Sequence, residues 1–406
     1  MKILVLNSGS SSQKSALFDL SAQRSDGLSS PLWEGKLEWD ASNETLTVKN
    51  SQGQQFRAES RVPPENRHSS LGKMLEELWK PPTGLELSRN DIAAVGHRIV
   101  HGGPKLTEPV LVTADVKRAI GDVSSIAPLH NVAGLEGIEY IEHSFPGVPQ
   151  IAVFDTGFHN AMPLAAKVYP GPYRWYERNI WRYGFHGINH AYCSARAAKL
   201  LGADLSALKI VTCHLGNGCS LAAVSGGRSI DTTMGFSPLE GLMMGTRSGS
   251  VDPGILTYLL RSGQASNEDL DDILNHQAGL LGISGISSDM RDILKAAGHG
   301  NERAQLAFDI FVHRLASAIA AMAASLGGLD VVVFTAGIGE NSPAVRRASC
   351  ARLAFLGIEL NEAKNASAAE DGEISSPRSR VRTLVIRAQE DWAIAQAAKN
   401  LLLSRS

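Results

Sequence analysis

Three cationic side chains stand in stretches built for turns or strand ends. Arg98 lies in Gly96-His97-Arg98-Ile99-Val100-His101-Gly102-Gly103, where a buried strand runs into paired glycines. His186 sits between glycines in Tyr183-Gly184-Phe185-His186-Gly187, and Arg247 among small residues in Gly245-Thr246-Arg247-Ser248-Gly249-Ser250. A cation in a glycine-rich turn has the geometry to hold an oxyanion or phosphate. Any one of them alone also fits a loop residue that satisfies nearby backbone; three together favour anion binding. Asp155 follows a short apolar strand and precedes Thr156-Gly157. That is the position of a catalytic or metal-orienting carboxylate, or of a turn cap.

Three turns offer backbone N–H groups to phosphate. Asn7-Ser8-Gly9-Ser10-Ser11-Ser12, with Lys14 on the returning strand, is the first. Such a turn cradles anions, although a plain hairpin has the same composition. His214-Leu215-Gly216-Asn217-Gly218 is the second. Asn-Gly is itself a strong hairpin signal, and glycine also lets a phosphate approach the backbone. Gly337-Ile338-Gly339-Glu340-Asn341 is the third, placed after a buried strand and before a helix. Ser342 replaces the last glycine of a dinucleotide fingerprint, so this is not a Rossmann site, and no G-x-x-x-x-G-K-[ST] occurs anywhere.

The elements that position these residues are legible in outline. Apolar runs at 3–6, 15–20, 92–100, 151–154, 210–224 and 329–335 read as strands, the fifth broken by the Asn-Gly turn. Helical spacing marks 190–201, an alanine-rich helix 305–326, and an amphipathic tail 391–403. Ser342-Pro343 reads as a cap with proline at the first helical position. Strands alternate with helices in both halves, so the class is α/β. The 406 residues exceed what one core of roughly 250–300 residues holds, which predicts two domains. Residues 3–12 parallel 211–220 as strand, polar turn and returning strand. This is either a duplicated domain or the chance likeness of two hairpins. The polar stretch 22–70 reads as surface strands and loops without chemistry.

A formal net charge of -2 and the lack of a basic stripe argue against nucleic acid. No run reaches 18 consecutive apolar residues, and the N-terminal one is too short for a signal peptide, so no membrane partner is expected. Cys193, Cys213, Cys219 and Cys350 lack metal-type spacing. Cys213 and Cys219 read as small buried hydrophobes, and the reducing cytoplasm is the expected compartment.

Taken together the motifs resemble the acetate kinase family of short-chain carboxylate kinases. The resemblance rests on the stretches quoted above, on Phe154-Asp155-Thr156-Gly157-Phe158-His159, and on the run 231–253. Within that run, Asp231-Thr232-Thr233-Met234-Gly235-Phe236-Ser237-Pro238-Leu239-Glu240-Gly241 is very specific. These motifs span nearly the whole chain in the family's order. The resemblance implies two duplicated α/β domains of the actin-like, sugar-kinase-like (ribonuclease H-like) fold around a nucleotide cleft. They are expected at 1–154 plus 390–406 and at 155–389.

It also implies reversible, Mg2+-dependent transfer of the ATP γ-phosphoryl group to acetate, by direct in-line attack, giving acetyl phosphate and ADP. Mn2+ is able to replace Mg2+, and a homodimer is expected. By motif, Asp155, His186 and Arg247 are catalytic. Arg98 takes the substrate carboxylate. Val100, Leu129, Phe185 and Pro238 line a small apolar pocket for the methyl group, with His130 beside it. Lys14, His214, Leu215, Gly216, Asn217, Gly218, Asp289, Met290, Arg291, Gly337, Ile338, Gly339, Glu340 and Asn341 hold ATP. Asn7 and Glu390 meet the metal. The chain departs from the family at Gln389-Glu390-Asp391, where Asn-Glu-Glu is expected; Glu390 keeps the carboxylate. His159 and His190 read as structural. The alternatives are a propionate or butyrate kinase of the same family, a sugar kinase of the same fold, and a non-catalytic actin-like nucleotide-binding protein.

Overall fold

Alternating and continuous apolar runs of valine, isoleucine and leucine build two sheets, one in each of two units. The computed structural model describes residues 1–9, 12–21, 30–40, 43–61, 67–124, 128–368 and 370–405, without the side chains of 40, 67–69 and 128–130. The first unit comprises Met1–Gly157 with Gln389–Ser406, and the second Phe158–Ala388.

In the first unit, strands β1 (Lys2–Ser8), β2 (Ser12–Asp19), β3 (Trp33–Asp40), β4 (Asn43–Asn50), β5 (Gln55–Arg61), β6 (Ile92–Ile99), β7 (Val110–Leu111) and β8 (Gln150–Phe154) form a sheet ordered β5-β4-β3-β2-β1-β6-β8-β7. In the second, β9 (Lys209–Leu215), β10 (Cys219–Ser225), β11 (Arg228–Thr232), β12 (Val331–Thr335), β13 (Gly372–Glu373) and β14 (Arg382–Val385) are ordered β11-β10-β9-β12-β14-β13. The block β3-β2-β1-β6-β8-β7 repeats this order strand for strand. Each has an antiparallel meander, two parallel strands, and an antiparallel edge strand that comes between them in sequence. Chance likeness of two hairpins does not produce six matched strands, so the repeat in the sequence is a repeated fold.

The stretch 22–70 does more than decorate the surface. Trp33, Leu37 and Val48 are fully buried and pack with Leu4, Leu17 and Met74 in one core. In the second unit the helix Glu302–Leu326 has the length and hydropathy of a membrane span. Phe311, Val312, Leu315 and Ile319 on one face are buried against the unit, while Arg303, Asp309, His313 and Arg314 are exposed on another. Burying such apolar side chains contributes about 1.5–3 kcal/mol each, enough to hold this helix as a core element. All four cysteines are buried and outside any disulfide.

His97, His101 and His159 are buried, and burial pushes each imidazole down to about 4. The unfolded chain takes up those protons near 6.5, so between 6.5 and 4 it binds more protons than the folded chain and stability falls with pH. The loss is about 1 kcal/mol per histidine by about pH 5.5 and about 3 by about pH 4. Urea unfolding followed by circular dichroism is expected to show a midpoint clearly lower at about pH 5.5 than at about pH 7.5, with the drop reduced in His97→Gln. Equal midpoints at the two pH values would contradict this.

Candidate functional site

The first unit gathers an ionic cluster at the C-terminal ends of parallel strands, where α/β sheets place their ligands. Asn7 ends β1, Arg98 lies opposite it on β6, and Asp155 follows β8. Asp155 is fully buried and receives Arg98 Nε at 3.2 and 3.1 Å and Nη2 at 2.5 Å. Arg98 Nη1 donates to Asn7 Oδ1 at 3.1 Å. The Asn7 amide nitrogen donates to Asp391 at 2.7 Å and to Glu390 at 3.4 Å, both in the first turn of the helix Glu390–Leu403. Burial opposes the charge on Arg98, but the Asp155, Glu390 and Asp391 carboxylates outweigh it and raise its pKa. Burial pushes the Asp391 carboxyl above its usual range, against the hydrogen bond from Asn7 and the nearby Lys14. Lys14 is exposed on β2 in register with Asn7.

Three of the five Arg98 N–H groups are thereby engaged, and the rest can serve a second carboxylate. Glu390, Asp391 and Asn7 offer hard oxygen donors of the kind Mg2+ takes alongside phosphates. No group of three or more His, Cys, Asp or Glu residues poised for a metal occurs among the described residues.

The second unit builds a nitrogen-rich cluster around the β9–β10 turn. Leu215 and Cys219 pair across it, and Gly216 N–H closes it onto Gly218 O at 3.0 Å. Asn217 O accepts Gly245 N–H at 3.0 Å, which pins the loop carrying Arg247. A Cβ on Gly245 would collide with Asn217 Oδ1 and approach Ser288 O at 3.2 Å, so only glycine allows this contact. His186 has φ 56°, a left-handed conformation rare outside glycine and typical of functional sites. It stacks on His214 with ring centroids 3.9 Å apart and planes 11° from parallel. A methyl on Gly218 would lie 3.5 Å from Arg247 Nη1 and 3.7 Å from His186 Nε2; one on Gly216 would lie 3.7 Å from His214 Nε2. Arg247 is partly buried, and burial lowers its pKa. Among the described residues no carboxylate pairs with it; its one hydrogen bond goes to Pro238 O at 3.5 Å. The stretch holding Pro238 is itself fixed by Glu240, which accepts from Arg182 at 2.7 Å and from Tyr169.

Other expected positions fare variously. Phe185 and Val100 are buried and Pro238 is partly buried. Ser10 and Ser11, and the side chains of Leu129 and His130, lie outside the described residues. His97 and His101 are not site cations. His97 Nε2 meets Gln150 at 2.7 Å, and His101 Nδ1 accepts Gly103 N–H at 2.9 Å. Residues 336–341 form a helical turn, Ala336–Asn341, rather than a loop. Glu340 accepts the Ala336 and Ala388 N–H groups at 2.8 Å each, so its carboxylate braces backbone. Gly337 and Asn341 are exposed, and a Cβ on Gly337 would meet open space. Asp289 caps the helix Met290–Gly298 and pairs with the exposed Arg291 at 2.5 Å, while Met290 is buried.

Sequence reasoning missed Arg346, fully buried, which donates to the Gly339 and Glu340 carbonyls at 2.8 Å each and so holds the third turn. It also missed Asn189 and Ser220, which hold the ring nitrogens of His214 and His186. Their positions beside turn motifs carry no compositional signal. Asp391 was visible only as a departure from a family pattern.

Two α/β units of matched topology, one with an arginine that has spare donors and the other with an arginine that has no carboxylate partner among the described residues, suit a kinase with a carboxylate acceptor. A model of the acetokinase family matches residues 2–396. The chain belongs to that family, whose activity is phosphorylation of acetate by ATP. It is 53% identical over 408 residues to an acetate kinase of Cyanothece sp. (strain PCC 7425 / ATCC 29141), covering 100% of both chains. Its structure resembles the crystal structure of Porphyromonas gingivalis acetate kinase with a TM-score of 0.89 at 38% identity, over 99% of each chain. It also resembles a propionate kinase from Francisella tularensis subsp. tularensis SCHU S4, with a TM-score of 0.87 at 38% identity, over 98% of this chain and 99% of that one.

Removing one partner of a buried ion pair leaves the other charge stranded, at about 3–5 kcal/mol. Arg98→Ala and Asp155→Ala are each expected to lower the unfolding free energy by about 3 kcal/mol, and the double variant by clearly less than the sum. Additive losses in that double-mutant cycle would show that the pair is not coupled.

Proposed function

We propose that the protein transfers the γ-phosphoryl group of ATP directly to acetate, reversibly and with Mg2+. The observation that carries this is Arg247, partly desolvated and without a carboxylate among the described residues, at the same glycine turn as two imidazoles. A buried cation without a counter-ion is unfavourable. An arriving phosphate relieves it.

A short carboxylic acid titrates near pH 4.3, so at neutral pH it is already a nucleophile and needs no general base. The Asp155 carboxylate is held by three contacts from Arg98 and serves to orient that arginine. Arg98 directs its remaining N–H groups at the acid carboxylate. Val100, Leu129, Phe185 and Pro238, with His130 beside them, take the methyl group. Arg247 and His186 meet the equatorial oxygens of the moving phosphoryl group, where charge must be stabilised. Lys14, the turn 214–218, residues 289–291 and residues 337–341 hold ATP. Asn7 and Glu390, with Asp391 behind them, hold Mg2+. When bound, the ion neutralises phosphate charge, and Mn2+ does the same. The two units correspond to the duplicated domains of this fold, and a cytoplasmic homodimer is the working form.

Propionate is the second reading, favoured by the likeness to a propionate kinase. One methylene in an apolar pocket is worth only about 1–3 kcal/mol, so propionate is expected to be a slower substrate rather than an excluded one. A hydroxamate assay with ATP, Mg2+ and a panel of short acids separates these readings: acetate should give the highest kcat/KM, and a clear preference for propionate would reverse the assignment. Arg247→Ala should lose at least about a hundredfold in kcat while keeping its fold, since arginines in this role are worth about 10³–10⁵. Near-normal turnover by the folded variant would remove Arg247 from the reaction. Chelation of divalent ions should abolish turnover and Mn2+ should restore it; undiminished turnover in chelator would exclude the metal role.

A further inference from the structure

His186, His190 and His214 of the second unit are held by hydrogen bonds whose direction can be read one hydrogen at a time. It starts at Thr212 on β9, which is fully buried. Its hydroxyl lies 2.7 Å from His190 Nδ1, its one partner among the described residues. A buried hydroxyl hydrogen left without an acceptor is unfavourable. The Thr212 O–H therefore donates, and His190 Nδ1 accepts. His190 is fully buried, and burial, aided by His159 and His214, pushes its pKa well below the usual value, so its ring is neutral. A neutral imidazole that accepts at Nδ1 carries its proton on Nε2. That N–H donates to Ser220 Oγ at 2.8 Å. Ser220 is also fully buried, and its other described side-chain partner is His186 Nδ1 at 2.8 Å. Its O–H therefore donates to His186, which accepts at Nδ1 and keeps its own proton on Nε2.

A second, shorter line reaches His214. The Asn189 amide nitrogen donates to His214 Nδ1 at 2.9 Å. His214 too accepts at Nδ1 and bears its proton on Nε2. Both Nε2 atoms face the glycine turn. They lie 3.7 Å from where a methyl on Gly218 or Gly216 would stand, and Arg247 Nη1 shares the space at Gly218.

We infer that Thr212, His190, Ser220 and Asn189 are positioning residues that fix His186 and His214 as neutral imidazoles, each aiming an Nε2–H at an anion bound against the 216–218 turn. His186 faces His214 from β9, His190 from its own helix and Arg247 from the pinned loop. Cys219 on β10 stands beyond Arg247, its thiol pushed up to about 12 by burial. Two imidazolium rings stacked 3.9 Å apart next to a guanidinium would repel one another. Two neutral rings supply hydrogen bonds and leave the positive charge to Arg247. Protonating His186 at Nδ1 would require the Ser220 hydroxyl and the His190 tautomer to reverse and would strand the Thr212 hydrogen, so the chain resists it.

The inference rests on the phosphoryl-transfer reading for what the two N–H groups bind, and not for where the protons sit. The test is 15N-histidine NMR of the full chain without substrate at about pH 7.5, with assignments from His186→Gln and His214→Gln. Both rings should show a pyrrole-like Nε2 and a pyridine-like Nδ1. An Nδ1–H tautomer or an imidazolium at His186 would overturn the assignment. Thr212→Val removes the first donor at nearly constant volume, and should turn His186 into a mixture of tautomers; Thr212→Ser should restore the single form. An unchanged His186 spectrum in a folded Thr212→Val protein would show that no chain of donors exists. Ser220→Ala should move the acidic limb of the kcat–pH profile to higher pH, and an unmoved limb would count against the chain. If the protein failed to phosphorylate any short acid, the kinase reading would fall while the tautomers could still be as inferred.

Discussion

On the proposed direct transfer an anion attacks an anion, and that repulsion is the constraint the site has to meet. Positive charge has to be present where phosphate and carboxylate meet, and it has to be kept from being neutralised by the protein's own carboxylates. The two arginines proposed for this role are held in opposite ways within their own units. Arg98 is buried among Asp155, Glu390 and Asp391, so its charge is secure and its orientation fixed, with donors to spare. Arg247 has no carboxylate among the described residues and is held at the strand turn by a glycine contact, so its charge is available. Truncating either therefore removes something different: a fixed direction in one case, uncompensated charge in the other.

The repeated topology explains how one chain holds both arrangements. The same hairpin, β1–β2 and β9–β10, begins each unit's meander, and the same parallel neighbour, β6 and β12, stands beside it. In the first copy the hairpin and its neighbour carry Asn7, Lys14 and Arg98, and Asp155, Glu390 and Asp391 add carboxylate oxygens around them. In the second copy they carry His214, Ser220 and Thr335, and His186 and Arg247 add nitrogen groups beside the turn. Strand ends supply positions that are rigid, while the turns supply close backbone approach. The left-handed backbone at His186 is a strained position at the start of its helix, next to the buried Phe185 and Gly187.

Much of this was legible in the sequence because the signals were local. Glycine turns, strand runs and the cap at Ser342-Pro343 depend on a few adjacent residues, and Asp155 and Arg98 stand at strand ends that the apolar pattern marks. The duplication was ambiguous, because a hairpin repeats by chance where a strand order does not. What stayed hidden is tertiary. Nothing in their spacing shows that His97 and His101 are buried, which lowers the pKa of each ring. Arg346 looks like an ordinary helix surface charge, yet it is fully buried on backbone carbonyls. Ser220 and Asn189 are small polar residues with nothing in their spacing to reveal which ring nitrogen they meet. Trp33 and Leu37 lie in a stretch polar enough to read as surface, because one face of an antiparallel sheet is solvated while the other is core.

On the proposed mechanism the phosphoryl group passes straight from ATP to an acid that is already charged, with cations rather than a covalent relay making the step possible. The most direct measurement is the stereochemistry at phosphorus, using ATP made chiral at the γ position with oxygen isotopes and analysing the acyl phosphate formed. A single in-line displacement predicts inversion of configuration. Retention would mean that a side chain carries the phosphoryl group between two displacements, and would contradict direct transfer.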